Sequence, residues 1–149
     1  MVGELNEQQM NNLLSSQVVG RLACTDSVRP YLVPVNYVYD GNYIYAQTSE
    51  GMKLDLLRNN PNVCFEVDAM TNMDNWQSVI IRGSFEELGD AAAENARGIL
   101  KKKLFTLLTN MAIDVEQQEA GTVPADNNKV KNVLYRIAIT EKTGRFEKR

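Results

Sequence analysis

Four residues near the middle of the chain have types and a spacing that suit the binding of an anion: Thr48, Ser49, Gly51 and Lys53. They end a strand-like segment and begin a helical one. The start of a helix presents unpaired N–H groups and a partial positive charge of about +0.5. Two hydroxyls, a glycine that allows close backbone approach and an ammonium group add to that attraction. The spacing predicts a phosphate site, and the alternative is an ordinary Ser49 cap beside a solvated lysine.

The chain contains no histidine. This excludes Ser-His and Cys-His nucleophile pairs and histidine-based zinc or iron sites. Cys24 and Cys64 lie in apolar strand patterns with no second cysteine close in sequence, so we predict two buried free thiols. We therefore expect no metal site and no catalytic side chain, and any redox chemistry would come from a bound cofactor.

Length and composition describe the setting of this site. The chain has 149 residues, is 44% hydrophobic and 23% charged, and carries a net charge of -3. These values predict a single globular domain over residues 1–149 and argue against nucleic-acid binding. The basic run Lys101-Lys102-Lys103 is interpreted as a solvated helix face. Apolar runs are too short to cross a membrane and the start of the sequence shows no secretory signal, so we expect a cytoplasmic protein without a membrane partner.

One helix and three strands are predicted ahead of the phosphate turn. Asn6 and Gln9 form a capping-box pattern for a helix that ends near Ser16. Strand patterns follow, and Asp40-Gly41 is a strong hairpin signal between the second and the third. The predicted strands cover residues 17–25, 31–39 and 43–46.

After the turn, helical and strand patterns alternate. Pro61 bounds the helix that carries Lys53, and Gly83 marks a bulge or a point of close backbone approach in a later strand. The long helix from Asp90 to about Ala112 has a broad apolar face that is expected to cover the strands. That face contains Ile99, Leu100, Leu104, Leu107, Leu108 and Met111. The remaining predicted elements are a helix over 50–60, strands over 63–68, 76–85 and 133–139, polar loops over 71–75 and 114–128, and a tail over 141–146.

Six strands joined mostly by short turns favour a mainly β, α+β architecture, an antiparallel barrel with flanking helices. The ordered series "GRLACTDSVRPYLVPVNYVYDGNYIYAQTSEGMKLDLLRNNPNVCFEVD" (residues 20–68) followed by "WQSVIIRG" (residues 76–83) closely resembles the flavin-binding split-barrel proteins related to pyridoxamine phosphate oxidase. Within that group it is most similar to the nitroimidazole-resistance branch. The resemblance runs from Gly20 to Leu88, with a weaker echo near Arg136 and Arg145.

The resemblance implies a six-stranded split barrel, a homodimer, and FMN bound at the subunit interface. The family's phosphate contacts correspond to Thr48, Ser49 and Lys53, in agreement with the helix argument. The strand Val33-Pro34-Val35-Asn36 corresponds to the strand that runs beside the isoalloxazine ring. Proline has no N–H for a ladder bond, so Pro34 fits a position at a ligand, and it fits an ordinary edge strand as well.

Three further residues are candidates for the flavin or the subunit interface. Trp76 begins a strand after a polar loop, where its indole could cover the ring or pack in the core. Arg82 and Arg145 could reach the flavin or a partner subunit, or lie solvated on the surface.

One position departs from the nitroimidazole-resistance pattern. Those proteins are expected to carry a histidine in the strand just before the phosphate turn, and the matching residue here is Gln47. An amide forms hydrogen bonds but does not exchange a proton near neutral pH. The resemblance therefore implies flavin binding more directly than resistance activity.

The leading functional hypothesis is an FMN-dependent oxidoreductase that takes electrons from NADH or NADPH and reduces a small electron-poor acceptor, a nitro compound or a quinone. The alternative is a flavin-binding or flavin-sensing protein without turnover. A third hypothesis is another barrel ligand, haem or a deazaflavin, and the absence of histidine disfavours haem.

Overall fold

The computed structural model of the protein describes residues 1–110 and 132–149. Three helices and eight strands lie in these residues. The helices are α1 (Glu7–Ser16), α2 (Met52–Asn59) and α3 (Asp90–Asn110). The strands are β1 (Val2–Glu4), β2 (Val19–Thr25), β3 (Pro30–Asn36), β4 (Val38–Tyr39), β5 (Tyr43–Ser49), β6 (Asn62–Asn72), β7 (Asn75–Glu87) and β8 (Asn132–Glu147).

All strand pairs are antiparallel and belong to one sheet. Its order is β3-β2-β6-β7-β8-β5-β4, and β1 pairs with β8. Several strands that are neighbours in the sheet are far apart in sequence. The sheet does not close into a complete barrel, because β3 and β4 are its two end strands. The mainly β prediction of a split barrel with flanking helices is confirmed. The strand count is corrected from six to eight within the described residues.

The two additional strands have local causes. Val2–Glu4 is too short to show a periodic pattern and was missed, yet it pairs with the end of β8. The predicted strand over 31–39 is interrupted at Tyr37, whose N–H donates to Val18 O (3.2 Å) instead of continuing a ladder. The Tyr37 hydroxyl donates to Leu14 O (2.6 Å), which fixes the corner between β3 and β4 against α1.

Several boundaries also differ from those predicted. The helix α2 begins at Met52 rather than at Glu50, and the predicted tail over 141–146 is part of β8. The polar loop over 71–75 shortens to a turn at residues 73–74. The predicted end of the long helix near Ala112, the residue Met111, the side chains of Leu107 and Leu108, and the loop from Asp114 to Asn128 lie outside what the structure describes.

Two local predictions are confirmed. Asn6 and Gln9 form a complete capping box at the start of α1, which buries Met10, Leu13 and Leu14. Gly83 lies at a register shift between β7 and β8, and a Cβ built there would stand 2.4 Å from Ala138 O. The close approach of the Ala138 carbonyl at this bulge therefore requires a residue without a side chain.

The main core lies inside the curved sheet and is capped by α1 and α2. Cys24 is buried in it, whereas Cys64 is only half-buried, which corrects the prediction of two buried thiols. The register explains the difference: Cys64 pairs with Ala23, so its side chain and that of Cys24 point to opposite faces. Within the described residues, no helix combines the length and the apolarity that crossing a bilayer requires.

Candidate functional site

A cleft of about 390 Å³ lies between the β3–β4 corner, the end of β5, the start of α2 and the side of α3. Its size is in the range typical of small-molecule sites. It brings together five of the residues predicted from sequence: Pro34, Val35, Asn36, Gln47 and Lys53. The remaining lining residues, which were not predicted for the site, are Val18, Tyr37, Val38, Leu100, Lys103 and Leu104.

The strands bring the predicted residues to one place by simple alternation. In β3, Val35 is buried while Pro34 and Asn36 are exposed, so the strand presents alternating side chains along the cleft wall. Val33, also predicted, is half-buried and packs against the core rather than lining the cleft. Gln47 is exposed near the end of β5 and faces the cleft.

The turn between β5 and α2 leaves the helix start open. Gly51 is the N-cap residue and no side chain caps the helix. Ser49 therefore does not cap it, which removes the alternative interpretation of this stretch. Ser49 is exposed and Thr48 is half-buried, and the Thr48 hydroxyl donates only to Ser49 O (3.3 Å). The N–H groups of the first helical turn have no side-chain acceptor, as an anion site requires.

Lys53 is a half-buried cation at this helix start. Burial lowers the pKa of its ammonium group, and the nearby Cys24 thiol opposes that change. Burial raises the pKa of Cys24 in turn, with Lys53 acting in the opposite direction, so Cys24 is a neutral thiol near neutral pH. Among the described residues, no carboxylate lies within ion-pair distance of Lys53, so this positive charge lacks a counter-ion.

Lys103 is a second half-buried cation in the same cleft. Its Nζ donates to Gln17 O (2.7 Å) and Tyr37 O (3.3 Å) and stands 4.7 Å from the centre of the Tyr37 ring. Burial lowers the pKa of its ammonium group. The prediction of a solvated run is correct for Lys101 and Lys102, which are exposed, and wrong for Lys103.

The position of Lys103 could have been found from helical spacing. It lies four residues after Ile99 and seven after Ala96, and Ala96 is fully buried. Lys103 thus belongs to the inner side of α3, whereas Leu104 is 56% exposed although the predicted apolar face included it.

An ionic clamp holds the turn in front of α2. Arg58, in the last turn of α2, donates to Glu50 at 3.0 and 3.2 Å and to Glu87 at 2.7 and 3.1 Å. Glu50 precedes α2, and Glu87 is the last residue of β7. The Arg58 guanidinium therefore connects the last turn of α2 both to the turn before the helix and to the sheet. The Arg58 guanidinium lowers the pKa of the Glu87 carboxyl.

Three predicted residues lie outside the cleft of their own chain. Trp76 lines a separate groove and its indole N–H donates to Glu147 (3.2 Å). Arg82 lines another groove and pairs with Glu141 at 3.7 Å. Arg145 is exposed on β8, opposite Ser78. A single chain therefore does not bring these three side chains to the residues around Lys53.

The cleft has a definite chemical character. Its described lining contains two lysines and no carboxylate, together with the amides of Gln47 and Asn36 and a largely apolar remainder. Such a site suits a ligand that joins an anionic group to a flat apolar body. The described residues contain no group of three or more acidic, cysteine or histidine side chains placed to hold a metal ion.

Comparison with known proteins agrees with the topology. A family model described as "Pyridoxamine 5'-phosphate oxidase" matches residues 6–146. The chain belongs to the pyridoxamine 5'-phosphate oxidase family. An uncharacterised protein of Rhizobium meliloti (strain 1021) is 30% identical over 84 residues, which cover 56% of each chain. The chain thus spans only about half the length of this curated relative.

Solved structures of other proteins share the fold over nearly the whole chain. A FAD-binding protein of Mesorhizobium loti is 28% identical with a TM-score of 0.72, covering 98% of both chains. A protein of Bacteroides thetaiotaomicron, described as a candidate 5-nitroimidazole antibiotic resistance protein, is 19% identical with a TM-score of 0.64, covering 98% of this chain and 87% of that one. At 19% identity the second likeness shows the fold alone.

Proposed function

We propose that the cleft binds FMN and that this member of the pyridoxamine 5'-phosphate oxidase family is a cytoplasmic oxidoreductase. Its substrate would be a small electron-poor acceptor, a nitro compound or a quinone, with NADH or NADPH as electron donor. The observation that carries the proposal is the pairing of an uncapped helix start and two half-buried lysines with a cleft that contains no carboxylate among its described lining.

The residues present fit a flavin nucleotide. Lys53 and the first-turn N–H groups of α2 would hold the phosphate, because both offer donors without a competing acid. The part of β3 from Pro34 to Asn36 would run along the ring. Pro34 has no backbone N–H, so the strand lacks a ladder donor at that position. The Gln47 amide would donate to or accept from polar ring atoms.

Flavin, when bound, supplies the electron transfer itself. The protein would position the ligand, surround it with the apolar wall of Val35, Val38 and Leu100, and exclude water from part of the cleft. The described lining contains no histidine and no carboxylate, the side chains that most often act as acid or base near neutral pH. No catalytic acid or base is therefore proposed.

A homodimer with one flavin at each subunit boundary would complete the site. Trp76, Arg82 and Arg145 lie away from the cleft of their own chain, a placement that suits contribution from a second chain. The exposed apolar side chains of Leu32 and Ile80, 68% and 46% exposed, would then be covered.

FAD is a second candidate ligand, because the Mesorhizobium loti protein that shares 28% of the sequence is a FAD-binding protein. The cofactor can be identified by releasing it from purified protein and separating FMN from FAD chromatographically. A protein that neither retains nor binds either flavin would refute the proposal at its base.

Turnover is tested by the visible spectrum of the flavin-loaded protein. We expect NADH or NADPH to bleach the flavin bands and a nitro compound or quinone to restore them. Flavin that binds tightly but is reduced by neither nucleotide would support the alternative, a flavin-binding or flavin-sensing protein without turnover.

A further inference from the structure

Lys103 is more constrained than an ordinary surface lysine. Its ammonium group donates to two backbone carbonyls, Gln17 O and Tyr37 O, and lies over the Tyr37 ring. An ammonium group has three N–H donors, so one remains after these two bonds. Among the described residues, no carboxylate pairs with it. A half-buried cation with a spare donor is therefore directed into the cleft.

The two lysines of the cleft come from different elements. Lys53 lies in the first turn of α2, and Lys103 lies on α3. Both line the cleft, and Lys103 is bonded to Tyr37 O at the β3–β4 corner. The two ammonium groups therefore approach the cleft from separate elements and can contact different parts of one ligand.

The surroundings of the two groups also differ. Lys53 lies at an open helix start, which favours an anion. Lys103 lies among Val18, Tyr37 and the α3 side chains Leu100 and Leu104, which favour an apolar or aromatic group. The polar end of the ligand thus belongs with Lys53 and its flat end with Lys103.

Resting on the proposed flavin binding, we propose that Lys103 anchors the ring end of the ligand, donating its free N–H to an acceptor oxygen or nitrogen of the isoalloxazine. Lys103 is a binding and positioning residue for the ring, as Lys53 is for the phosphate. Substitution of Lys103 should therefore weaken every ligand that contains the ring, whereas substitution of Lys53 should weaken only ligands that carry the phosphate.

The test compares three ligands that share the ring: FMN, riboflavin, which lacks the phosphate, and lumiflavin, which lacks the whole ribityl phosphate. Dissociation constants are measured by flavin fluorescence on the full chain freed of cofactor. Lys103→Met should weaken all three ligands by a similar factor, about 10- to 100-fold, the size expected for a bond to a charged group. Lys53→Met should weaken FMN alone.

Lys102→Met is the matched control, because Lys102 is the exposed neighbour on the same helix. It should leave all three constants unchanged. Lys103→Arg keeps the charge and the donors and should retain most of the lumiflavin affinity. If Lys103→Met fails to fold, Lys103→Gln, which removes the charge but keeps a donor group, supplies the comparison.

The possible outcomes separate this inference from the proposed function. Wild-type protein that binds none of the three ligands refutes flavin binding and the inference together. Wild-type protein that binds them while Lys103→Met binds lumiflavin equally well refutes only the inference, and a lower melting temperature of that variant would then assign Lys103 to holding α3. Loss confined to FMN would make Lys103 a second phosphate contact and also overturn its ring role.

Discussion

Lys53 combines partial burial with the absence of a counter-ion among the described residues, and that combination makes it the leading candidate for contact with the phosphate of the proposed ligand. Lys53→Met should weaken FMN binding by about 1.5–3 kcal/mol, the range for a hydrogen bond to a charged group. Riboflavin should bind almost as before because it has no phosphate. Titration of both ligands against the same variant checks this, and equal losses would indicate a disturbed fold.

Gln47 faces the cleft, so its difference from the histidine expected in the nitroimidazole-resistance branch has a direct consequence. Gln47→His would place a group with an ordinary pKa of about 6.5 beside the ligand. We expect the spectrum of bound flavin, and any reductase rate, to gain a pH dependence between about pH 5 and 8 that wild type lacks. The same flat profile in both proteins would contradict this.

For single residues, the sequence was informative where the residue type and the spacing to neighbouring residues indicated the same place in the fold. Lys53 and Gln47 could be assigned because they flank one turn. Lys103 could not be distinguished from Lys101 and Lys102 by charge, since only the helical phase set by Ala96 shows which of the three points inward. Trp76, Arg82 and Arg145 lie away from the cleft. A strand pattern shows which face of the strand a residue occupies, but not which side chains from distant segments it meets.

The bulge between β7 and β8 depends on the absence of a side chain at Gly83. Gly83→Ala would bring a methyl group within 2.4 Å of Ala138 O, a backbone atom that cannot rotate away. We expect a loss of about 1–3 kcal/mol in the free energy of unfolding, as for other overpacked sites. Thermal or denaturant unfolding measures it.

Gly98 provides the control for that substitution. It lies in α3, is exposed, and a Cβ there would meet no atom within 4 Å. Gly98→Ala should stabilise the protein by about 0.5–1 kcal/mol, because alanine is the better helix former. If both variants were equally destabilised, the close contact at Gly83 would not be the cause.

The clamp around α2 should make stability depend on pH. Arg58 depresses the pKa of Glu87 in the folded protein below its ordinary value of 4.5. The stabilisation by Glu87 is therefore present above pH 4.5 and disappears as the pH falls through the depressed value. Glu87→Gln should lower the melting temperature at pH 7, and the gap from wild type should close in acid. A gap of constant size would show that the charge is irrelevant.

Elements with a clear helical or strand periodicity were predicted as the correct type. The discrepancies arise where strand pairing or a local hydrogen bond determines where an element begins or ends. Tyr37 fits an alternating strand pattern, yet its bonds to Val18 and Leu14 turn the chain. The final strand runs on to Glu147 because β7 pairs with its second half and β1 pairs with its last three residues. A strand partner that is distant in sequence produces no recognisable pattern within residues 141–146 themselves.

At the scale of the whole molecule, the proposed homodimer follows from residues that one chain leaves apart. Sedimentation of the flavin-loaded protein should give twice the chain mass, and the interface should bury on the order of 2,000 Å² or more, as in obligate dimers. A monomer that retains one flavin per chain would rule out the dimer while preserving the ligand assignment.

Pro34 has a consequence beyond the cleft, because it lies in the middle of β3, an end strand of the sheet. End strands expose backbone donors and acceptors that can recruit strands from other molecules and start aggregation. A proline interrupts that row of donors, as gatekeeper residues do. Pro34 lines the cleft proposed to bind the ligand and would also limit edge-to-edge strand pairing between free chains. Substitutions at this one position would therefore affect aggregation as well as ligand binding.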